Sequence, residues 1–200
     1  MGENALLARF IEPADRVLLI GCGTGRDLIT LLGRGHRVEG LDLVAECVER
    51  ARQRLADRKL DALVQVGDIE TIELAERFDV FVFSWFCYAY IPGSARRVRV
   101  LEKLAARLAP GRRILLSYVP ARQPGPSRAL RVTRAVGQLT RTDWRPEAGD
   151  GLAVVGPSIR SVTFQHFFRA GEAEAEARAA GLRVLAHEAN DQVMTMALAG

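Results

Sequence analysis

An unbroken apolar run, Val17-Leu18-Leu19-Ile20, opens the regular pattern of the chain and has the character of a parallel strand buried on both faces. The cluster Gly21-Cys22-Gly23-Thr24-Gly25 ends it. Beyond the cluster, Leu28, Ile29, Leu31 and Leu32 recur at helical spacing, which predicts a helix over 26–32 closed by Gly33-Arg34-Gly35. Val38-Glu39-Gly40-Leu41 begins a second strand. A helix over 44–55, a strand over 63–66 and a long apolar strand over 78–85, rich in Phe and Val, continue the alternation. A helix over 96–108 with a basic outer face stops at Pro110-Gly111, before a fifth strand over 114–118. Near the end, an alanine-rich helix over 172–180 precedes strands over 182–186 and 192–198.

This rhythm predicts an α/β fold: a Rossmann-like, doubly wound, mostly parallel seven-stranded sheet. Residues 119–168 break the rhythm, with Pro120, Pro124, Pro126, Pro146 and Pro157 around one helix expected over 127–139. Because the alternation resumes afterwards, this stretch is expected to be an insertion after strand five, a lid or substrate region, and not a second domain. The expected organisation is one domain over 1–200. It has a leading helix within 1–14 (5–11, stopped by Pro13), a cofactor-binding core over 15–118, the insertion, and a C-terminal helix and strands over 169–200.

Composition narrows the class without naming it. With 48% hydrophobic and 26% charged residues, a packed core is expected. No apolar run reaches the roughly 20 residues needed to span a bilayer, and the first residues lack a basic-then-apolar signal pattern, so a cytoplasmic protein without membrane contact is expected. Three widely separated cysteines (Cys22, Cys47, Cys87) form no Cys-x-x-Cys pair, and no His, Cys and acidic group has metal-ligand spacing, so no metal is expected. The net charge of +4 comes mainly from arginine. Arg128, Arg131 and Arg134 share one face of the insertion helix, but no aromatics interleave with them, which disfavours a nucleic-acid platform. Oligomeric state leaves no signal.

The chemistry concentrates at the glycine cluster. Glycines directly after a buried strand and before a helix let a ligand approach the backbone and the unpaired N–H groups of the helix N-terminus. A dinucleotide enzyme needs Gly-x-Gly-x-x-Gly to hold a pyrophosphate. Here the third glycine is Gly25, and Arg26 stands at the dinucleotide position, which counts against an NAD(P)-dependent oxidoreductase.

The stretch Arg16-Val-Leu-Leu-Ile-Gly-Cys-Gly-Thr-Gly-Arg26 resembles motif I of the class I S-adenosylmethionine-dependent methyltransferases. Three further matches follow in order: Asp42 ending the second strand, Gly67-Asp68-Ile69 after the third, and Leu108-Ala-Pro-Gly-Arg-Arg leading into the fifth. The resemblance implies that Gly21, Cys22, Gly23 and Gly25 pass close to S-adenosylmethionine. It also implies that Asp42, with Leu43 beside it, accepts from the ribose hydroxyls, and that Asp68 and Ile69 contact adenine. Two departures stand out. Many relatives carry an acidic residue where this chain has Leu19, which makes Asp27 a candidate substitute for the methionine end, with a favourable charge for the helix dipole as the competing reading, and a glycine where it has Arg112.

Ser84 to Tyr90 lies at and beyond the carboxyl end of strand four, which faces the ligand crevice in open α/β sheets. Ser84 is therefore expected at the cofactor, and Trp85, Tyr88, Tyr118 and His166 at the acceptor. His166 or Tyr88 is the candidate for deprotonating the acceptor, with a structural histidine as the competing reading. Ser84-Trp-Phe-Cys-Tyr is not the Asn/Asp-Pro-Pro-Tyr signature of enzymes that methylate nucleic-acid bases. The expected function is methyl transfer from S-adenosylmethionine to a small-molecule substrate, leaving S-adenosylhomocysteine. A non-catalytic sensor of the same ligands, or pseudo-enzyme, is the alternative.

Overall fold

The computed structural model describes residues 9–121, 128–140, 146–155, 161–190 and 193–200. In chain order the elements are β1 (Arg16–Ile20), α1 (Arg26–Gly33), β2 (Arg37–Asp42), α2 (Ala45–Ala56), β3 (Val64–Val66), β4 (Phe78–Phe83), a 3-10 turn (Cys87–Tyr90) and α3 (Ser94–Arg107). They continue with β5 (Leu108–Tyr118), α4 (Arg128–Leu139), β6 (Asp150–Val155), β7 (Ser161–His166), α5 (Glu172–Ala179), β8 (Arg183–Asn190) and β9 (Val193–Ala199). The leading helix expected over 5–11 falls mostly outside the described residues.

Seven strands form one sheet in the order β3-β2-β1-β4-β5-β9-β8. β1 to β5 run parallel, and β9 enters antiparallel between β5 and β8. The order reverses between β1 and β4, so a crevice opens there at the carboxyl ends of the strands.

Side-chain alternation builds two cores from the same strands. Val17 and Leu19 of β1, with Val80 and Val82 of β4, pack on one face against Leu28 and Leu31 of α1 and Val48, Ala51 and Leu55 of α2. Leu18, Ile20, Phe81 and Phe83 point to the other face, against Leu101 and Leu104 of α3 and Ala173 and Ala177 of α5.

The insertion differs from expectation in one respect. Beside its helix it holds a two-stranded antiparallel hairpin, β6 with β7, that stands apart from the main sheet. The prolines of the region masked two short strand patterns. The basic face of α3 is also only partly an outer one, because Arg97 is fully buried.

The departure at Arg112 has a structural role. Its guanidinium pairs with the buried Asp15 (2.8 Å) and with Asp79 (3.1 Å), whose carboxylate also accepts from the Arg16 backbone N–H. Arg112 therefore ties together the segments that lead into β1, β4 and β5, at the end of the sheet opposite the crevice.

Phe81 has no exposure and sits on a central strand. Phe81→Ala is expected to cost about 3–5 kcal/mol of stability, read as a lower urea midpoint with an unchanged slope.

Candidate active site

The crevice holds a cavity of about 550 Å³ walled by the ends of four parallel strands: Ile20 and Gly21, Leu41 and Asp42, Gly67 and Asp68, and Phe83. Its floor is backbone. Gly21 adopts φ +71, and a Cβ there would lie 2.0 Å from the Cys87 sulfur, so both the turn and the packing demand glycine. The Gly21 and Cys22 N–H groups both donate to the Leu41 carbonyl, at 2.8 and 3.1 Å, which locks the turn to β2.

Asp42 faces this floor. One carboxylate oxygen accepts from the Gly23 N–H at 2.7 Å and the other from the Val44 N–H at 2.9 Å. A carboxylate offers about four acceptor sites, so each oxygen keeps one for a ligand hydroxyl. Asp68 accepts from the Glu70 N–H at 2.9 Å, which shapes the loop after β3. That loop is held from α3: the Lys103 ammonium donates to the Ile69 and Ile72 carbonyls, and Arg96 forks onto the two Glu70 oxygens at 2.5 and 2.6 Å. Burial lowers the Lys103 pKa, with Asp68 and Glu73 opposing.

Of the residues expected at the cofactor, Gly21, Asp42, Leu43, Asp68 and Ile69 share this one wall. Cys22 packs in the core beside Gly40, and burial, with the nearby Asp42 charge, pushes its thiol up to about 12. Gly23 (φ +53) and Gly25 (φ +82) shape the turn from behind; a Cβ on Gly25 would meet Ala51 at 3.1 Å, so this glycine lets α1 and α2 close up. Asp27 lies beside the cavity wall, not on it. It is bound by Arg26 (2.8 Å) and by the Ser84 hydroxyl (2.7 Å). Burial pushes the Asp27 carboxyl up, but these hydrogen bonds outweigh it and hold the pKa below the usual range. Leu19 is fully buried, so no side chain from that position reaches the cavity.

The residues expected to deprotonate an acceptor are placed differently. Tyr88 is fully buried, and its hydroxyl donates to Glu176 at 2.6 Å; burial and the Glu176 charge raise its pKa well above the ordinary value. His166 is also fully buried, with Nδ1 2.7 Å from Asp150 and Nε2 3.3 Å from Glu172. Both ring nitrogens of His166 therefore face carboxylates, the Tyr88 hydroxyl faces Glu176, and neither residue is among those that wall the cavity. Tyr118 is buried, with its hydroxyl 2.7 Å from His187. Trp85 is half-exposed under the Arg26 guanidinium (4.7 Å) and, like Phe86, holds a positive φ (+43 and +64). Two successive bulky residues in that region indicate a constrained turn.

The wall also takes residues that the sequence reading does not single out, and they come from two further segments. Cys87 and Tyr90 come from the 3-10 turn, and Thr163 and Phe164 from the β7 strand of the insertion. The 3-10 turn lay within the segment picked out after strand four; the hairpin gave no pattern strong enough to find. Glu147, Asp150 and His166 also converge, with one ligand-type atom from each within 4.8 Å, a grouping that their separation in sequence hid. Arg97, 3.3 Å from Glu147, already supplies a cation there. Among the described residues, no helix is long and apolar enough to cross a membrane.

Comparison with known proteins agrees with this geometry. A profile described as a methyltransferase domain matches residues 17–111. The chain is 32% identical over 106 residues to the dTDP-3-amino-3,6-dideoxy-alpha-D-glucopyranose N,N-dimethyltransferase of Streptomyces fradiae, covering 53% of this chain and 40% of that protein. It is 33% identical over 125 residues to the probable thiol methyltransferase 2 of Arabidopsis thaliana, covering 58% and 53%. The chain thus spans about half or less of the length of these curated relatives. Among solved structures, the CcbJ methyltransferase from Streptomyces caelestis superposes with a TM-score of 0.75 at 15% identity, covering 99% of this chain and 88% of that one. The glycopeptide N-methyltransferase MtfA complexed with S-adenosylmethionine gives 0.71 at 18% identity, covering 99% and 92%.

Two outcomes are expected from this geometry. Gly21→Ala lowers stability by more than the roughly 1 kcal/mol of left-handed strain alone. Adding Cys87→Ala recovers only part of the loss in urea unfolding, because the Cys87 Cβ would still lie 2.8 Å away. For Asp27, a folded pKa below the unfolded one gives stability that is fully present above the unfolded value and is lost as pH falls through the folded value. Asp27→Asn should therefore be less stable than wild type near pH 7, with the gap in urea midpoint closing as the pH falls below the ordinary carboxylate range.

Proposed function

We propose that the chain is a class I S-adenosylmethionine-dependent methyltransferase that takes S-adenosylmethionine as cofactor and transfers its methyl group to a small-molecule acceptor. The observation that carries this is the shared wall of Gly21, Asp42, Leu43, Asp68 and Ile69 around one cavity of about 550 Å³.

The residues fit a nucleoside. Asp42 keeps an acceptor site on each oxygen, the requirement for two vicinal hydroxyls. Leu43, Ile69 and Phe83 offer apolar surface for a flat base, and Asp68 stands beside them as an acceptor for an exocyclic amine. The bare Gly21 turn lets the chain beyond the ribose lie against backbone.

When bound, the sulfonium would supply a methyl group whose carbon takes the acceptor's lone pair in line as its bond to sulfur breaks, with S-adenosylhomocysteine as the leaving group. The protein's task is then to position and to exclude water. Lys103 and Arg96 hold the loop that carries Asp68 and Ile69. Phe164 and Thr163 of the hairpin, with Tyr90 and Cys87, wall the side of the cavity away from the β2 and β3 loops. Burial raises the Tyr90 pKa, which keeps its hydroxyl neutral and able to donate. The amino-sugar and thiol acceptors in the relatives' names make small amines and thiols the first compounds to try.

Isothermal calorimetry with S-adenosylhomocysteine tests the site. Asp42→Ala removes two charge-assisted hydrogen bonds and is expected to weaken binding by about 10–100-fold; unchanged affinity removes the ribose assignment. Incubation with methyl-labelled S-adenosylmethionine and metabolite fractions tests the transfer, with label expected in a low-mass product. Tight binding with no labelled product would instead make the chain a sensor.

A further inference from the structure

The wall contributed by the insertion is fastened to the core by one buried network. Arg97 of α3 is at its centre. Its Nη2 donates to Glu176 of α5 at 2.7 Å and to Glu147 at 3.3 Å, its Nε reaches both Glu176 oxygens at 3.0 Å, and its Nη1 donates to the Ile91 carbonyl at 3.2 Å. Each partner belongs to a different part of the cavity surround. Glu176 accepts from Tyr88 in the 3-10 turn that carries Cys87 and Tyr90. Ile91 lines the cavity itself. Glu147 lies at the foot of the hairpin, where its carboxylate also caps the first N–H of α3 at Ser94 (2.9 Å).

The foot of the hairpin is closed on itself as tightly. His166 of β7 bridges Asp150 of β6 and Glu172 of α5, and the Phe167 N–H donates to the Gly149 carbonyl at 2.8 Å. Gly149 holds φ +110, with no space for a Cβ against the Phe167 carbonyl (2.4 Å). Two and three residues before His166, the strand places Phe164 and Thr163 on the cavity. A shift at the foot is therefore transmitted to those side chains through a closed two-stranded unit, without slack.

We propose that Arg97 is a positioning residue for the cofactor cavity: through Glu147 it seats the insertion hairpin, and through Ile91 and the Glu176–Tyr88 pair it seats the 3-10 turn. Its fork does this where a point charge would not, because three acceptors on separate elements must be met in one plane. The charged groups facing it are Glu147 and Glu176, with Glu172, Asp150 and His166 behind them. Stacking of the guanidinium on Phe168 (5.0 Å) fixes its plane. The consequence for cofactor binding rests on the function proposed above, but the seating of the hairpin does not.

The test separates seating from simple stability. Glu147→Gln removes the hairpin-side charge while its amide oxygen can still cap Ser94, Arg97→Lys keeps the charge and loses the fork, and Val48→Ala, in the core of the opposite face, serves as a destabilised control. Three quantities are read on the full chain well below its melting temperature. They are amide exchange of the peptide covering 161–166, iodoacetamide labelling of Cys87 mapped by mass spectrometry, and calorimetric affinity for S-adenosylhomocysteine. Glu147→Gln and Arg97→Lys are expected to speed exchange and Cys87 labelling and to weaken affinity, each by roughly tenfold, while Val48→Ala moves none of the three. Wild-type values in both network variants, or equal changes in Val48→Ala, would overturn the proposal. Should wild-type protein bind no S-adenosylhomocysteine, the cofactor reading falls and the first two quantities still decide the seating.

Discussion

The turn at Gly21 is the constraint on which the crevice depends. Its left-handed backbone ends β1, its N–H and that of Cys22 share the Leu41 carbonyl, and Cys87 fills the space a side chain would take. Three separate segments are thereby brought together, with only the Cys87 side chain packed against the bare turn. A glycine is costly in the unfolded chain, since it gives up the most conformational freedom on folding. Here it makes a cavity floor of backbone, whose position cannot drift with a rotamer.

From that floor outward the surround becomes progressively more ionic. Asp42 is held by two backbone N–H groups, the Asp68 loop by Lys103 and Arg96, and the outer wall by Arg97 and His166. A buried ion pair adds little stability over a well-packed apolar replacement, because desolvation offsets the attraction, whereas leaving one partner unpaired costs several kcal/mol. What such a network supplies is one arrangement in place of several. That suits the junction of an insertion with a core, where apolar packing alone would tolerate sliding.

The sheet was legible in the sequence because its central strands β1 and β4 are apolar runs and because helical spacing returns between successive strands. Val17-Leu-Leu-Ile and Phe78 to Phe83 announce themselves, and Gly21, Asp42 and Asp68 fall at strand ends where a doubly wound sheet collects its ligand contacts. The network was not legible, for a physical reason. Arg97 reads as one more charge on a basic helix, and only the position of α5 converts it into a fully buried hub. His166 and Tyr88 were singled out for their chemistry, but titratable groups serve a buried junction as readily as a reaction. The departure at Arg112 likewise resolves only when Asp15 and Asp79 are seen beside it.

The parts that match a known family and the parts that do not divide along the same line. Residues 17–111 carry the profile match and the floor of the cavity, while Thr163 and Phe164 come from the insertion beyond it. A fold of this kind hosts acceptors of unrelated chemistry, so its shared half does not choose among them. On the function proposed, that choice falls to the remaining walls, to which the hairpin contributes Thr163 and Phe164 from a two-stranded unit seated by Arg97 and His166. On that proposal, specificity for the acceptor and the geometry of the buried network become one problem: altering the hairpin face would change what can be admitted, and altering its foot would change where that face stands.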